Sequence, residues 1–202
     1  LRTSRFFVEI GFDLYEFNSL NLIKNNWNGK LIDFNQDECF ALKSLLKHYF
    51  PNTNAKILAK GVNKENVNDI VYSNTDGKII DFFSLDIDGN DYWVLKDLDL
   101  KKINVICCEY NKWLDKDEKK TIPYNPHHKF NNNGFFGASL LSLTELLNSK
   151  GFDLIAVDSS GTNAFYVKKE FSNKFEILSP IKSWKFANRF LTEEQSEIIK
   201  KE

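Results

Sequence analysis

Apolar and polar positions alternate along this chain in short blocks. Residues 5–11, Arg-Phe-Phe-Val-Glu-Ile-Gly, form an apolar run that ends on glycine, as a buried strand does. The pattern predicts a helix over 17–26 and a second short strand over 30–33 that ends on Asp33. Asn35-Gln36-Asp37-Glu38 has the form of a capping box. Beyond it, Leu42, Leu45, Leu46 and Tyr49 recur at helical spacing and predict one buried helix face, ended by Pro51. A third strand follows over 55–59 and a helix over 65–73. The run 81–89 is a strand whose end is crowded with acids, Asp86 and Asp88, and a helix is predicted over 92–98. Residues 104–110 form another buried strand, with Glu109 near its end, and 111–137 read as a long loop. Leu140, Leu143 and Leu147, with Leu146, make a helical stripe that stops before Gly151. Strands over 152–158 and 163–168 flank Ser159-Ser160-Gly161-Thr162, a hairpin-like turn. After Glu170 aromatics recur without a period, and a polar helix is expected from about Thr192.

Strands alternating with helices imply a mostly parallel sheet covered on both faces. The last two strands, joined by a tight turn, must be antiparallel. Five βα units followed by a hairpin match the class I methyltransferase sheet: α/β, Rossmann-like, seven strands with the last antiparallel, helices on both faces. In such sheets ligands bind beyond the carboxyl ends of the strands. That edge is where the sequence puts Gly11, Asp33, Asp86, Asp88 and Glu109. The 27 basic and 28 acidic residues give a net charge of −1, so no nucleic-acid or charged-membrane partner is expected. No apolar run approaches the ~18 residues of a membrane span, and no secretory signal is visible. Three cysteines, two of them adjacent at Cys107 and Cys108, do not make a disulfide framework, and a cytoplasmic location is expected. The chain begins at Leu1 and holds no methionine, which reads as a processed or truncated piece.

Asp86 and Asp88 are two apart, so on an extended segment they face one side. Glu109 and Asn111 have the same relation at the end of the next strand. On neighbouring strands these four would converge, a donor set that suits a hard cation such as Mg²⁺. The alternative is that Asp88 or Asp91 caps the following helix and Glu109 pairs with a lysine. A calcium loop is excluded, because its sixth position is Asp91 where glycine is needed. His127 and His128 lie in the polar loop after Pro126; a histidine near carboxylates suits a general base for a hydroxyl, and the alternative is an exposed pair. Tyr92 and Trp93 either line a pocket or pack half-buried, and Ser139 reads as a helix N-cap. No G-x-S-x-G, P-loop or C-x-x-C pair is present, which leaves hydrolase, NTPase and zinc-ribbon readings without support.

Ser84-Leu85-Asp86-Ile87-Asp88-Gly89-Asn90-Asp91-Tyr92-Trp93 resembles the S-I-D-I-D-G-N-D-Y-W signature of one branch of the FkbM-like methyltransferases. Ile106-Cys107-Cys108-Glu109-Tyr110-Asn111 resembles its I-x-I-E-Y-N strand. Pro123-Tyr124-Asn125-Pro126 with His128, then Phe136-Gly137-Ala138-Ser139-Leu140, resemble its P-Y-D-P-x-H and Y-x-G-A-S-L elements. Gly161-Thr162-Asn163-Ala164-Phe165-Tyr166-Val167 resembles its G-x-N-A-F-F-V ending. The resemblance runs from about Phe6 to Lys169, so residues 1–169 are expected to be the methyltransferase domain and 170–202 a C-terminal extension.

It implies S-adenosylmethionine (SAM) as donor and a hydroxyl acceptor on a sugar or small metabolite. It also implies Glu9 and Gly11 near the methionine part of SAM and Asp33 near the ribose. Asp88 is then the acceptor-side carboxylate, His128 an auxiliary base, and Asp86 and Glu109 their companions. Catechol-type O-methyltransferases resemble the acid arrangement too, with a metal that acidifies the accepting hydroxyl. The departure is in the first loop. Val8-Glu9-Ile10-Gly11 is followed by Phe12-Asp13-Leu14-Tyr15, with no second glycine, and Phe34 stands where the family has a small residue. Phe12 and Tyr15 are expected to obstruct the cofactor's approach. A second reading follows from that loop: a catalytically silent module that binds a glycan, metabolite or protein.

Overall fold

The computed structural model describes residues 3–15, 17–131 and 133–184. The helix expected from about Thr192 lies outside the described residues.

The apolar run near the N-terminus is β1 (Phe6–Ile10), buried at all five positions. It pairs in parallel with β2 (Asn28–Asp33) on one side and β4 (Ile80–Leu85) on the other, and β2 pairs in parallel with β3 (Ala55–Ala59). With β5 (Ile103–Glu109), β6 (Phe152–Val157) and β7 (Asn163–Lys168) the sheet has seven strands, in the order β3-β2-β1-β4-β5-β7-β6. β6 and β7 are antiparallel, with a register shift between Leu154 and Ala156. The Tyr110 N–H donates to the Thr162 carbonyl at 3.0 Å. The end of β5 therefore lies beside the start of β7, and these strands run in opposite senses. The expected seven-stranded sheet with its antiparallel last strand is what the chain forms.

The helices are α1 (Leu20–Lys24), α2 (Gln36–Tyr49), α3 (Val67–Tyr72), α4 (Asp91–Asp97), α5 (Leu140–Ser149) and the single turn α6 (Pro180–Ser183). The chain divides into two compact units. One comprises Leu1–Ile87 with Asp97–Ile106, and the other Asp88–Lys96 with Cys107–Glu202.

In the first unit, Phe7, Phe12, Ile23, Leu31, Cys39, Leu42 and Leu46 form one buried cluster. Asn35 caps α2 as the sequence suggests, accepting from the Asp37 and Glu38 N–H groups. The expected stripe is corrected in phase. Cys39, Leu42 and Leu46 are buried, whereas Leu45 is 41% and Tyr49 66% exposed. The face that α2 turns toward β2 and β3 is centred near Leu42 and Leu46. Leu45 falls at its edge, and Tyr49 is the helix's last residue. In the second unit, Leu140, Leu143 and Leu147 of α5 are buried as expected. Ser139 accepts from the Ser142 N–H, which makes it the N-cap of α5.

Lys30 points into the first unit with only 2% of its surface exposed. Its ammonium donates to the carbonyls of Ile70 (3.2 Å), Val71 (3.0 Å) and Ser73, the C-terminal end of α3. A cation there satisfies carbonyls that the helix leaves open and matches the negative end of its dipole. Burial, with the nearby charge of Lys56, pushes Lys30 down to about 8 from 10.5. Between those values the unfolded chain holds a proton that folded Lys30 lacks, so stability rises with pH across that window. Lys30→Met should abolish that rise. It should also cost about 1–3 kcal/mol near pH 7 by leaving buried carbonyls unmet. Urea titrations at several pH values measure both; an unchanged slope would remove Lys30 from this role.

Candidate active site

The first unit contains the carboxyl ends of β1, β2 and β4. Glu9 is 1% exposed, and its carboxylate accepts from the Asn18 N–H at 2.6 Å and the Ser19 N–H at 2.9 Å. Burial pushes its carboxyl above the usual range, while the hydrogen bonds it accepts pull the other way. The Asn18 amide in turn donates to the Ser84 hydroxyl at 3.0 Å. Glu9 thus braces the loop after β1 and the start of α1 against β4.

Gly11 is the tightest point of this edge. Its φ is +77°, and a Cβ there would stand 1.5 Å from the Asp86 carbonyl oxygen. The approach is held by two backbone hydrogen bonds, Gly11 N–H to Ile32 O and Asp86 N–H to Ile10 O, each 2.9 Å. Only glycine has both the conformation and the missing side chain that this position requires.

Asp33 ends β2 with 9% exposure. One carboxylate oxygen accepts from the Asn35 N–H at 2.7 Å and the other from the Phe12 N–H at 3.4 Å. Burial again raises the carboxyl, with these N–H groups opposing. Of the aromatics expected to obstruct the cofactor's approach, Phe12 is not placed to do so. Phe12 is turned into the buried cluster, and Tyr15 is 96% exposed. Phe34, beside Asp33, is 78% exposed.

The second unit contains Asp88 and Glu109. Asp88 has φ +53°, a left-handed backbone that is uncommon for a side-chain-bearing residue and typical of sites where geometry is imposed. A carboxylate oxygen of Asp88 and one of Glu109 lie within 4.8 Å of each other. Asp88 is exposed by area, yet the protein around its carboxyl pushes its pKa up, and the charge of His128 works against that shift.

Neighbouring residues fix His128 in place. A Cβ on Gly89 would stand 2.4 Å from the His128 ring, so the imidazole lies directly on the backbone that follows Asp88. Asn90 clamps the loop from the other side: its amide donates to the Asn125 carbonyl at 2.7 Å, and its oxygen accepts from the Asn125 N–H at 3.3 Å. The His128 N–H donates to the Asn125 carbonyl at 2.9 Å, which closes the turn. His127 is exposed. Asp91 accepts from the Gly89 N–H at 2.9 Å, so this acid organises the turn into α4.

Asn111 is 2% exposed and faces the loop, not the carboxylates. Its amide donates to the Gly134 and Phe136 carbonyls at 2.9 and 3.0 Å, and its oxygen accepts from the Trp113 N–H at 3.0 Å. Gly89 and Asn90 were not singled out for a site role by the sequence reading. The Asp-Gly dipeptide was the signal available for the turn.

No protein-family model matches the chain, and no curated protein matches it. Solved structures do. The N-terminal domain of EvdMO1 with SAH (S-adenosylhomocysteine) bound is similar at 12% identity and a TM-score of 0.52, over 81% of this chain and 73% of that one. The same domain in the presence of SAH and D-fucose gives 12% identity and a TM-score of 0.51, over 81% and 75%. At that identity the likeness is one of fold. Among the described residues no helix is long and apolar enough to cross a membrane.

The close approach at residue 11 makes a direct prediction. Gly11→Ala should lose at least about 3 kcal/mol, since left-handed strain and a backbone clash add. Chemical denaturation checks it, and a variant of unchanged stability would refute the packing described for this edge.

Proposed function

We propose that this chain is a SAM-dependent O-methyltransferase of the FkbM-like branch, acting on a hydroxyl of a sugar or small metabolite. Residues 1–169 are its catalytic domain and 170–202 an extension. The observation that carries the reading is Asp88: a carboxylate on left-handed backbone, beside Glu109 and against His128. Support for the donor comes from the fold, since the EvdMO1 domain of the same fold holds SAH.

The residues of the first unit fit such a donor at its ribose end. The Asp33 carboxylate, which accepts from the N–H groups of Asn35 and Phe12, has lone pairs that suit a pair of ribose hydroxyls. The exposed ring of Phe34 offers a flat apolar face next to them. Glu9 and Gly11 shape the loop at the methionine end, and Asp86 holds the local backbone through its bond to Ile10. When bound, SAM supplies an electrophilic methyl group.

The second unit supplies the acceptor chemistry. Asp88 accepts the hydrogen bond of the acceptor hydroxyl, orients its oxygen and takes its proton; His128 assists as a second base. A base placed this way contributes about 10²–10⁴-fold. Because desolvation by the protein around its carboxyl raises the Asp88 pKa, the acid limb of the rate profile should lie above that of an ordinary aspartate, with activity lost as pH falls through it.

A metal reading has one observation in its favour, the Asp88–Glu109 approach within 4.8 Å. Against it, the amide of Asn111 is engaged by the loop. The silent-module reading draws on the first loop, where no second glycine follows Gly11 and Phe12 joins the core.

The test is an acceptor screen with labelled SAM. Asp88→Asn should keep the fold and lose at least a hundredfold in transfer; His128→Ala should lose less. Full activity in Asp88→Asn would end the case for that residue. Loss of native activity on chelation with recovery on Mg²⁺ would replace the simple base by a metal centre. No transfer to any acceptor, with no SAM bound, would favour the silent module.

A further inference from the structure

The second unit contains a cavity of about 300 Å³, lined by residues 111, 114, 120–123 and 134–137. We propose that it receives an apolar ring of the acceptor, aromatic or alicyclic, carrying a neutral oxygen substituent, and not a bare sugar. This rests on the methyltransferase reading only in calling the occupant the acceptor; the preference for an apolar ring stands on the cavity alone.

The size admits one ring, at the lower end of the range for small-molecule sites. The walls are apolar: Leu114, Ile122, Pro123, Phe135 and Phe136. The polar groups on the lining are engaged already. Both donors of the Asn111 amide and its oxygen are bonded to the loop, and the Thr121 hydroxyl has the Ile122 and Gly137 carbonyls at 3.4 and 3.3 Å. A sugar brings a hydroxyl on most of its carbons. Most would leave water without a partner here, a desolvation cost that an apolar ring does not incur.

Lys120 marks the one polar end. Its ammonium lies 3.1 Å from Glu118, with both side chains about one-third exposed. An ammonium has three N–H donors, so it retains capacity for an oxygen on the ligand. Glu118 beside it disfavours a second carboxylate, which selects a neutral oxygen.

The cavity also adjoins the carboxylate–imidazole pair. The Phe135 ring is 6.0 Å from the His128 ring, and the Gly137 N–H donates to the carbonyl of Gly89 at 3.0 Å. A ring seated in the cavity therefore lies next to the turn that carries Asp88.

The experiment titrates the full chain, without SAM, with phenol and with methyl β-glucoside, followed by ligand-observed NMR. Phenol should bind saturably and at least tenfold more tightly than the glucoside. Leu114→Trp, which fills the cavity, should weaken phenol at least tenfold while far-UV circular dichroism stays native. Should that variant not fold, Leu114→Ala, which enlarges the cavity, should raise the affinity ratio of 1-naphthol to phenol at least threefold. Equal binding of phenol and glucoside would overturn the proposal. So would phenol binding unchanged in a folded Leu114→Trp, or an unchanged ratio in Leu114→Ala. Phenol binding as expected in a chain that transfers no methyl group would uphold the cavity and fail the methyltransferase reading.

Discussion

The carbonyl oxygen of Asp86 occupies the place where a side chain at residue 11 would be. That contact draws the end of β1 against the end of β4 in the first unit, and the neighbouring groups arrange themselves around it. Glu9, two residues earlier on β1, is buried, and two N–H groups of the following loop donate to its carboxylate. Ser84 is tied in through Asn18. The loop after Gly11 is short and braced at both ends, so Phe12 has one direction to go, into the core. Asp33 is then left at the edge, held by backbone N–H groups that include those of Asn35 and Phe12.

The second unit achieves its local order differently, with side-chain amides where the first uses a carboxylate. Asn90 and Asn125 bond to each other in both directions, and Asn111 gathers two loop carbonyls. These bonds hold a stretch between β5 and α5 that contains no helix or strand among its described residues. Their product is a fixed imidazole against Gly89 and a left-handed Asp88. Conformations of that kind cost roughly 1–3 kcal/mol and persist where the surroundings over-determine them. That a polar loop is fastened this firmly beside an acid pair is the physical argument for chemistry at this point.

Much of the sheet was legible in the sequence, because each strand is a run of five to seven residues bounded by turn residues or acids. The hairpin at 159–162 was legible for the same reason, and Asp158 completes it by accepting from the Thr162 N–H at 2.9 Å. The buried face of α2 was misjudged by part of a turn. Periodicity marks apolar positions, but the direction of the sheet decides which of them are covered, and that is tertiary information. The fate of Phe12 was illegible on similar grounds. An aromatic after a glycine turn points inward or outward according to the space beneath it. The Asn90–Asn125 clamp joins residues 35 apart in sequence, and no local pattern encodes it. The cavity is loop-built, which is why no periodic signal marked it.

The central claim is that the carboxyl edge of β1 and β2 holds SAM. Calorimetric titration of the native chain with SAM tests it most directly, with Asp33→Ala alongside. The account predicts one-to-one binding, weakened at least tenfold in Asp33→Ala, since hydrogen bonds to a charged group are worth about 1.5–3 kcal/mol. A folded native chain that binds no SAM, or an Asp33→Ala chain that binds it equally well, would contradict the account.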